Sequence, residues 1–239
     1  MKNIKVRTKL TIIVALVLVL VASESFISIQ NMNQLKNKAL DTMDTSSRQN
    51  YDDSIKEQVG VVISLLSEIN NEYKAGRYSL DEAKKIAADE IRQMRYGNGG
   101  YFWVDQSDGK NIVLLGNSTE GTNRMNTKDA EGYQMIKEII RVAVQDGGGY
   151  TDYVFPKEGE TEPSPKRSYS EYFKPFDWVV GTGNYTDYID TAIAQQDEEF
   201  TSYASSKAIS LILCSVCMLI VVAIPVSYTH LTLPTNSRV

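Results

Sequence analysis

Two long apolar runs, one near each end of the chain, are the clearest feature of its hydrophobic pattern. Residues 208–226 form nineteen positions without a charge, and at 1.5 Å per helical residue they cross a hydrocarbon core of roughly 30 Å. The first run, residues 10–22, fits either a cleaved signal peptide or an uncleaved anchor. Because its pattern continues into residues 26–35 without a break, we favour an anchor. The sequence therefore predicts transmembrane helices at 10–29 and 208–226.

The charges around the first run predict its orientation in the membrane. Four cations and no acid precede it, and cytoplasmic flanks are enriched in Lys and Arg. We therefore expect residues 1–9 to lie in the cytoplasm, residues 30–207 to lie outside, and the tail 227–239 to return to the cytoplasm. This makes the chain a two-pass protein of the cell membrane.

Helical periodicity dominates the region after the first run. A heptad seam predicts a long helix over about 30–74, which packs either on the sheet of its own domain or on a second copy of the chain. Ser79 and Glu82 have the spacing of a capping box and predict a second helix that ends near Arg95. The seam consists of Ile55, Val59, Val62, Leu66, Ile69 and Tyr73.

From Gly97 onward the pattern changes to short β-prone segments. Asp108 and Gly109 indicate a hairpin between the first two strands. A helix over about 128–145 is expected to end at Gly147, with Tyr133 on the same face as its apolar residues, and a final helix begins near Thr186. Hairpin-length links between strands favour an α+β fold with one antiparallel sheet and helices on one side. The five predicted strands are residues 100–104, 111–115, 150–155, 167–173 and 177–185.

Charge and composition exclude several classes of function. Residues 30–207 carry 20 basic and 29 acidic side chains, and this acidic balance makes nucleic acid a poor partner. Both cysteines, Cys214 and Cys217, fall in the second span, and the one histidine is His230. The exterior region therefore has no means of forming Cys/His or Ser/His/Asp nucleophilic sites or histidine-bearing zinc sites. We predict a protein that is not an enzyme and has no cofactor or metal.

Aromatic residues and glycines on the predicted strands suggest a cavity for a small ligand. Tyr101 and Trp103 lie two residues apart, so they share one face of the sheet. Gly181 and Gly183 also share a face, and their missing side chains leave space. An apolar body with a few polar tips is typical of a ligand site, although the same aromatic residues would also suit a plain core. The further candidates with hydroxyl groups are Tyr153, Tyr169 and Tyr185.

Two cations in this acidic region are candidates to bind a carboxylate ligand. Arg124 lies in a long polar loop and offers a two-pronged fork, and Lys166 begins a strand and offers a point charge. The alternative for each is a surface ion pair, because acids such as Glu120 and Asp129 are near in sequence.

Four segments together resemble the single Cache sensor domain of bacterial receptors, in particular that of methyl-accepting chemotaxis proteins. They are RYGNGGYFWV, DAEGYQMIKEII, GGGYTDYVFPK and FDWVVGTGNYTDYID, and the likeness covers about residues 35–195. The resemblance implies a PAS-like five-stranded antiparallel sheet on a long N-terminal helix, a small-molecule ligand that is commonly a short organic acid, and a homodimer. It also directs attention to Arg95 as a ligand-binding residue. The His-Pro pair of many members is absent from the segment LLGNSTEGTNR.

The resemblance implies a function in transmembrane signalling. The last strand would form part of the cavity wall and continue into the second span. The alternatives are the sensor part of a histidine kinase and a membrane-anchored binding module without signalling output. The segment VVAIP resembles the approach to a HAMP linker, and we expect the tail after residue 226 to be truncated or non-native, so that cytoplasmic partners would be reached only through a missing region.

Overall fold

The computed structural model describes residues 6–97, 99–157 and 159–232 and divides the chain into two compact units. One unit is Asp44–Thr191 and contains the sheet. The other consists of the chain segments on either side of it. Residues 1–5 of the predicted cytoplasmic N-terminus and residues 233–239 of the predicted tail lie outside the described residues.

Six strands form one antiparallel sheet, and five of them are the predicted ones. The strands lie side by side in the order β1, β2, β6, β5, β4. Strand β3 pairs with β2 on the edge that faces away from β6. The unpredicted strand, β1, is only two residues long. The strands are β1 (Arg95–Tyr96), β2 (Gly100–Gln106), β3 (Asn111–Leu114), β4 (Gly149–Pro156), β5 (Pro163–Phe173) and β6 (Trp178–Tyr185). The predicted α+β, PAS-like fold class is confirmed.

Four α-helices accompany the sheet. They are α1 (Val6–Lys74), α2 (Leu80–Gln93), α3 (Met135–Asp146) and α4 (Asp187–Thr232). The capping box of α2 is present, since Ser79 and Glu82 exchange side-chain and backbone hydrogen bonds. Gly147 ends α3 in the left-handed conformation, with φ of 80°, as its sequence predicted.

The two faces of the sheet carry different helices. On one face α3 packs with Trp103 and Val179 in a buried apolar cluster. On the other face α1 covers β5 and β6, where the Tyr51 hydroxyl lies 2.7 Å from the carbonyl oxygen of Arg167 and 2.8 Å from that of Asn184. Helices therefore lie on both faces, and the prediction that they lie on one face was wrong.

The heptad seam of α1 is buried within a single chain. Five of its six residues are 7% exposed or less, and Tyr73 is half-buried. Tyr51 and Asp52, on the same helix, contact the sheet directly. Of the two alternatives left by the sequence, the structure supports packing on the domain's own sheet.

Helix α3 begins seven residues later than the sequence predicted. The Asp129 carboxylate accepts hydrogen bonds from the backbone N–H groups of Glu131 (3.0 Å) and Tyr133 (2.9 Å), and Gly132 has φ of 86°. These contacts build a turn where the helix was expected. Tyr133 consequently lies before the helix and is 43% exposed, so its predicted place on the buried face was wrong.

The flanking unit contains the apolar runs. Within α1 and α4, the described segments Thr11–Lys74 and Asp187–Met218 are long and apolar enough to cross a membrane, with mean hydropathies of 2.6 and 1.2 in their most apolar windows. In this unit Lys36 Nζ lies 2.8 Å from Asp197 Oδ1. Helix α1 continues through residue 29 without a break, as the sequence pattern indicated.

Candidate functional site

A cavity of about 540 Å³ lies beside the sheet in the unit Asp44–Thr191. Strands β2, β4, β5 and β6, helix α3 and the loop after β3 all contribute to its wall. Its size falls in the range that small-molecule sites occupy. The lining residues are Gly99, Gly100, Tyr101, Trp103, Leu114, Leu115, Asn117, Arg124, Met135, Ile136, Ile139, Tyr153, Phe155, Pro156, Lys157, Lys166, Gly183, Asn184 and Tyr185.

Lys166 is the most unusual of these residues. It is 3% exposed, and its Nζ donates a 3.1 Å hydrogen bond to the Tyr101 hydroxyl. Four aromatic rings surround the ammonium group, with centroids 4.9–5.9 Å from Nζ. Aromatic faces attract a cation, but a buried ammonium ordinarily requires a carboxylate partner. Among the described residues no carboxylate forms an ion pair with it.

Arg124 reaches the cavity wall from the loop after β3, but its fork is already occupied. Its Nε and Nη2 donate hydrogen bonds of 2.7 and 2.6 Å to the two carboxylate oxygens of Asp105. The Asp105 side chain is fully buried and accepts a third hydrogen bond, 3.0 Å long, from Asn111 Nδ2. The positive charge of Arg124 is therefore compensated within the protein.

The third cation at the cavity, Lys157, also has a carboxylate partner. Its Nζ forms an ion pair with Asp187, the first residue of α4, and lies 5.4 Å from the ring centroid of Tyr185. This pair connects the cavity wall with the start of the helix that contains the second apolar run.

The indole ring of Trp103 forms a flat part of the cavity wall and lies close against β6. Trp103 pairs with Gly181 across the strands, and a Cβ on Gly181 would lie 2.5 Å from Cε2 of the indole. Only a residue without a side chain lets the ring lie against β6 at this distance. The indole Nε1 of Trp103 is buried without a hydrogen-bond partner among the described residues.

Tyrosine hydroxyls provide the polar tips of the cavity. Burial raises the pKa of the Tyr185 hydroxyl to about 12, so it stays protonated at neutral pH and donates a 2.5 Å hydrogen bond to the carbonyl oxygen of Pro156. Burial also raises the pKa of Tyr153. The Tyr101 hydroxyl accepts from Lys166, which leaves its own proton available to a ligand.

Seven of the nine residues that the sequence suggested as ligand-binding line the cavity, and two do not. The seven are Tyr101, Trp103, Arg124, Tyr153, Lys166, Gly183 and Tyr185. Tyr169 lies on the opposite face of β5, where its ring packs against Tyr150 with centroids 5.0 Å apart and faces Lys56. Arg95 is exposed in β1, and its Nη1 donates to the carbonyl oxygens of Arg92 and Met94.

Sequence reasoning missed Asp105 and Lys157. The signal for Asp105 was available, because it alternates with Tyr101 and Trp103 along β2 and therefore points to the same face. For Lys157 the sequence gives no signal, since it lies in a polar loop beside other charges. The alternation rule would also have separated Tyr169 from Lys166, because residues three apart on a strand face opposite sides.

Solved structures similar to this chain include sensor domains of chemotaxis proteins. A periplasmic sensor domain of a chemotaxis protein superposes with a TM-score of 0.55 at 29% identity, covering 59% of this chain and 97% of that one. A Cache chemosensory domain, described for its recognition of carboxylic acids, gives a TM-score of 0.56 at 26% identity and covers 59% and 97%.

Sequence relatives and a family match agree with this likeness. The methyl-accepting chemotaxis protein McpP of Pseudomonas putida is 32% identical over 51% of this chain and 23% of its own length. The sensor histidine kinase MctS of Rhizobium johnstonii is 34% identical over 73% of this chain and 37% of its own length. The chain thus spans well under half the length of either relative. Residues 47–199 match Single Cache domain 2, and the chain therefore belongs to the single Cache domain family.

Proposed function

We propose that this chain is the sensing part of a membrane receptor and that its cavity binds a small carboxylate. The observation that carries the proposal is Lys166, a buried ammonium group that faces the cavity and has no carboxylate partner among the described residues. A ligand carboxylate would supply the missing charge and accept from its remaining N–H groups. The likeness to a Cache domain that recognises carboxylic acids supports the same ligand class.

Membrane anchoring is the second part of the proposal. Transmembrane helices at 10–29 and 208–226 would place residues 30–207 outside the cytoplasm, in line with the periplasmic sensor domain that the chain resembles. The two apolar helices support this arrangement by length and composition. We further propose that the receptor acts as a homodimer.

Signalling would begin where β6 meets α4. Strand β6 ends at Tyr185, which lines the cavity, and α4 begins at Asp187. A ligand that prefers one of two arrangements of this junction shifts their balance, and a tenfold preference corresponds to about 1.4 kcal/mol. We propose a chemotaxis receptor as the parent protein and the sensor part of a histidine kinase as the second candidate, which the 34% identity to MctS favours.

Binding without turnover fits the residues at the cavity. The sensor domains that the chain resembles support this reading. We propose that the ligand is released unchanged.

Calorimetry of the full chain in lipid nanodiscs tests the proposal. Acetate, propionate, pyruvate and lactate are titrated beside small amines and amino acids at neutral pH. We expect heat of binding from at least one monocarboxylate, and loss of that heat in Lys166→Met. Binding of amines alone would refute the carboxylate ligand. The gene sequence beyond codon 226 separates a chemotaxis receptor from a histidine kinase and from an anchored binding module.

A further inference from the structure

The cavity faces three cations, and their partners differ. Lys157 is paired with Asp187, and Arg124 is paired with Asp105. Lys166 has a tyrosine hydroxyl and aromatic rings around it, but no carboxylate among the described residues. Neither of these two acids is among the lining residues of the cavity.

Asp105 is the more deeply buried of these two acids. Its side chain is 0% exposed, whereas that of Asp187 is 37% exposed. It binds Arg124 through both carboxylate oxygens, and Asn111 fixes its orientation with a third hydrogen bond. An ion pair with this geometry in a buried setting is screened little by solvent, so Arg124 is compensated for as long as the pair is intact.

We infer that Asp105 sets the charge of the ligand. Because Asp105 pairs with Arg124, Lys166 is the one buried cation among the described lining residues that lacks a carboxylate partner. The cavity then favours a monocarboxylate ligand over a dicarboxylate ligand. A second ligand carboxylate would leave water without gaining a partner, which is costly in a largely apolar site. The inference rests on the proposed function, because it takes a carboxylate ligand as given.

A purely structural role of the same pair makes a different prediction. Arg124 belongs to the loop after β3, and its pairing with Asp105 also fastens that loop to the sheet. If the Arg124–Asp105 pair only fastened the loop, loss of Asp105 would weaken the binding of monocarboxylates and of dicarboxylates to the same degree. If Asp105 sets the ligand charge, its loss frees a cation and changes the order of preference.

The test compares propionate, a monoanion, with succinate, a dianion, on the full chain in nanodiscs at pH 7.5. The wild-type protein is expected to bind propionate at least about tenfold more tightly than succinate, which is about 1.4 kcal/mol. In Asp105→Asn the ratio is expected to shift toward succinate by at least about tenfold, because the freed guanidinium meets the second carboxylate. A folded variant with the wild-type ratio would overturn the inference.

Two further variants keep the test decisive if Asp105→Asn does not fold. Arg124→Gln leaves the Asp105 charge without its cation, so propionate is expected to bind about tenfold more weakly through repulsion. Asp105→Asn combined with Arg124→Gln removes both charges and is expected to restore propionate binding and its preference over succinate. Failure of the double variant to restore either would also overturn the inference.

The outcome for the wild-type protein separates this inference from the proposed function. If the wild-type chain binds propionate and succinate equally well, the role of Asp105 is refuted and the carboxylate site stands. If it binds no carboxylate of the calorimetric panel, the proposed ligand class fails, and the inference fails with it.

Discussion

The ammonium nitrogen of Lys166 lies 4.9 Å from the ring centre of Tyr101 and donates a 3.1 Å hydrogen bond to the hydroxyl of the same residue. One tyrosine thus provides both a π-face and an acceptor to a buried cation. Two of the three N–H groups of the ammonium have no acceptor among the described residues. The protein itself therefore compensates this charge only in part.

Replacing Lys166 with Met is expected to have opposite effects on stability and on binding. The buried charge costs desolvation, so its removal is expected to stabilise the empty protein by about 1 kcal/mol, or roughly 2–4 °C in melting temperature. Loss of a charge-assisted hydrogen bond is expected to weaken propionate binding by about 10- to 100-fold. Thermal melts and calorimetry measure the two effects.

Lys137→Met is the matched control, because Lys137 is exposed on α3 and does not line the cavity. It removes the same charge and is expected to leave both the melting temperature and the affinity for propionate unchanged. A Lys166→Met variant that melts lower than the wild type would contradict the view that this lysine is kept for binding at the expense of stability.

Gly181→Ala is expected to displace the indole ring of Trp103 into the cavity. The new Cβ would lie 2.5 Å from the Trp103 ring, so the ring must move off β6. Overpacking of this kind costs about 1–3 kcal/mol, and we expect weaker propionate binding together with an altered tryptophan fluorescence spectrum.

A glycine in an open position is the control for this change. Gly60 lies within α1, and a Cβ there meets no atom within 4 Å outside the helix backbone. Because alanine favours a helix more than glycine does, Gly60→Ala is expected to stabilise the protein by up to about 1 kcal/mol and to leave the fluorescence unchanged. Equal effects of the two substitutions would contradict a specific role for the Gly181 contact.

Lowering the pH is expected to destabilise the loop after β3, because Glu120 becomes protonated. Burial alone would raise the pKa of its carboxyl, but backbone N–H groups of Leu114 and Gly116 and the Arg92 guanidinium together lower the pKa below the ordinary 4.5. A lowered pKa contributes stability that is present above 4.5 and is lost as the pH falls through the lower folded value. Melting temperature measured between pH 7 and pH 3 shows the loss.

Glu120→Gln tests this assignment because it keeps the shape and removes the titration. The variant is expected to be less stable than the wild type at pH 7, since the charge-assisted hydrogen bonds are lost, and the difference is expected to shrink below pH 4.5. A difference that stays constant down to pH 3 would assign the acid sensitivity to another group, such as Asp129, whose pKa is also lowered.

The ion pair of Lys157 with Asp187 is expected to report the ligand to α4. Propionate is expected to change amide hydrogen exchange in the first turns of α4, because Lys157 lines the cavity and Asp187 begins that helix. In Lys157→Gln the affinity for propionate is expected to stay within about threefold, since solvent still screens this partly buried pair, while the ligand-dependent change in exchange is lost. Retention of that change in the variant would exclude the pair as the link.

The periodic parts of this fold could be predicted from the sequence, because periodicity reports local geometry. Short β-prone segments identified five of the six strands, and the spacing of Ser79 and Glu82 identified a cap that forms within four residues. The start of α3 could not be predicted, because the Asp129 carboxylate that builds the preceding turn is also held by the Val154 N–H group, 25 residues away in the chain.

The site was predictable as a set of residue types but not as a set of partners. Aromatic residues and Lys166 could be placed from the strand pattern. The pairing of Arg124 with Asp105 joins residues 19 positions apart, and several acids nearer in sequence were equally plausible partners. Which cation remains without a carboxylate is decided by the folded arrangement, and that is the property on which ligand charge depends.

The connection between β6 and α4 consists of one residue, Thr186, whose N–H donates to the carbonyl oxygen of Pro165 in β5. Because this connection is so short, we expect a backbone movement at Tyr185 to be passed on to the start of α4. One inserted residue would rephase the helix by about 100° relative to the strand. We therefore expect the length of this connection to fix the rotational phase of α4 relative to the cavity, so that an inserted or deleted residue would change the response to a bound ligand.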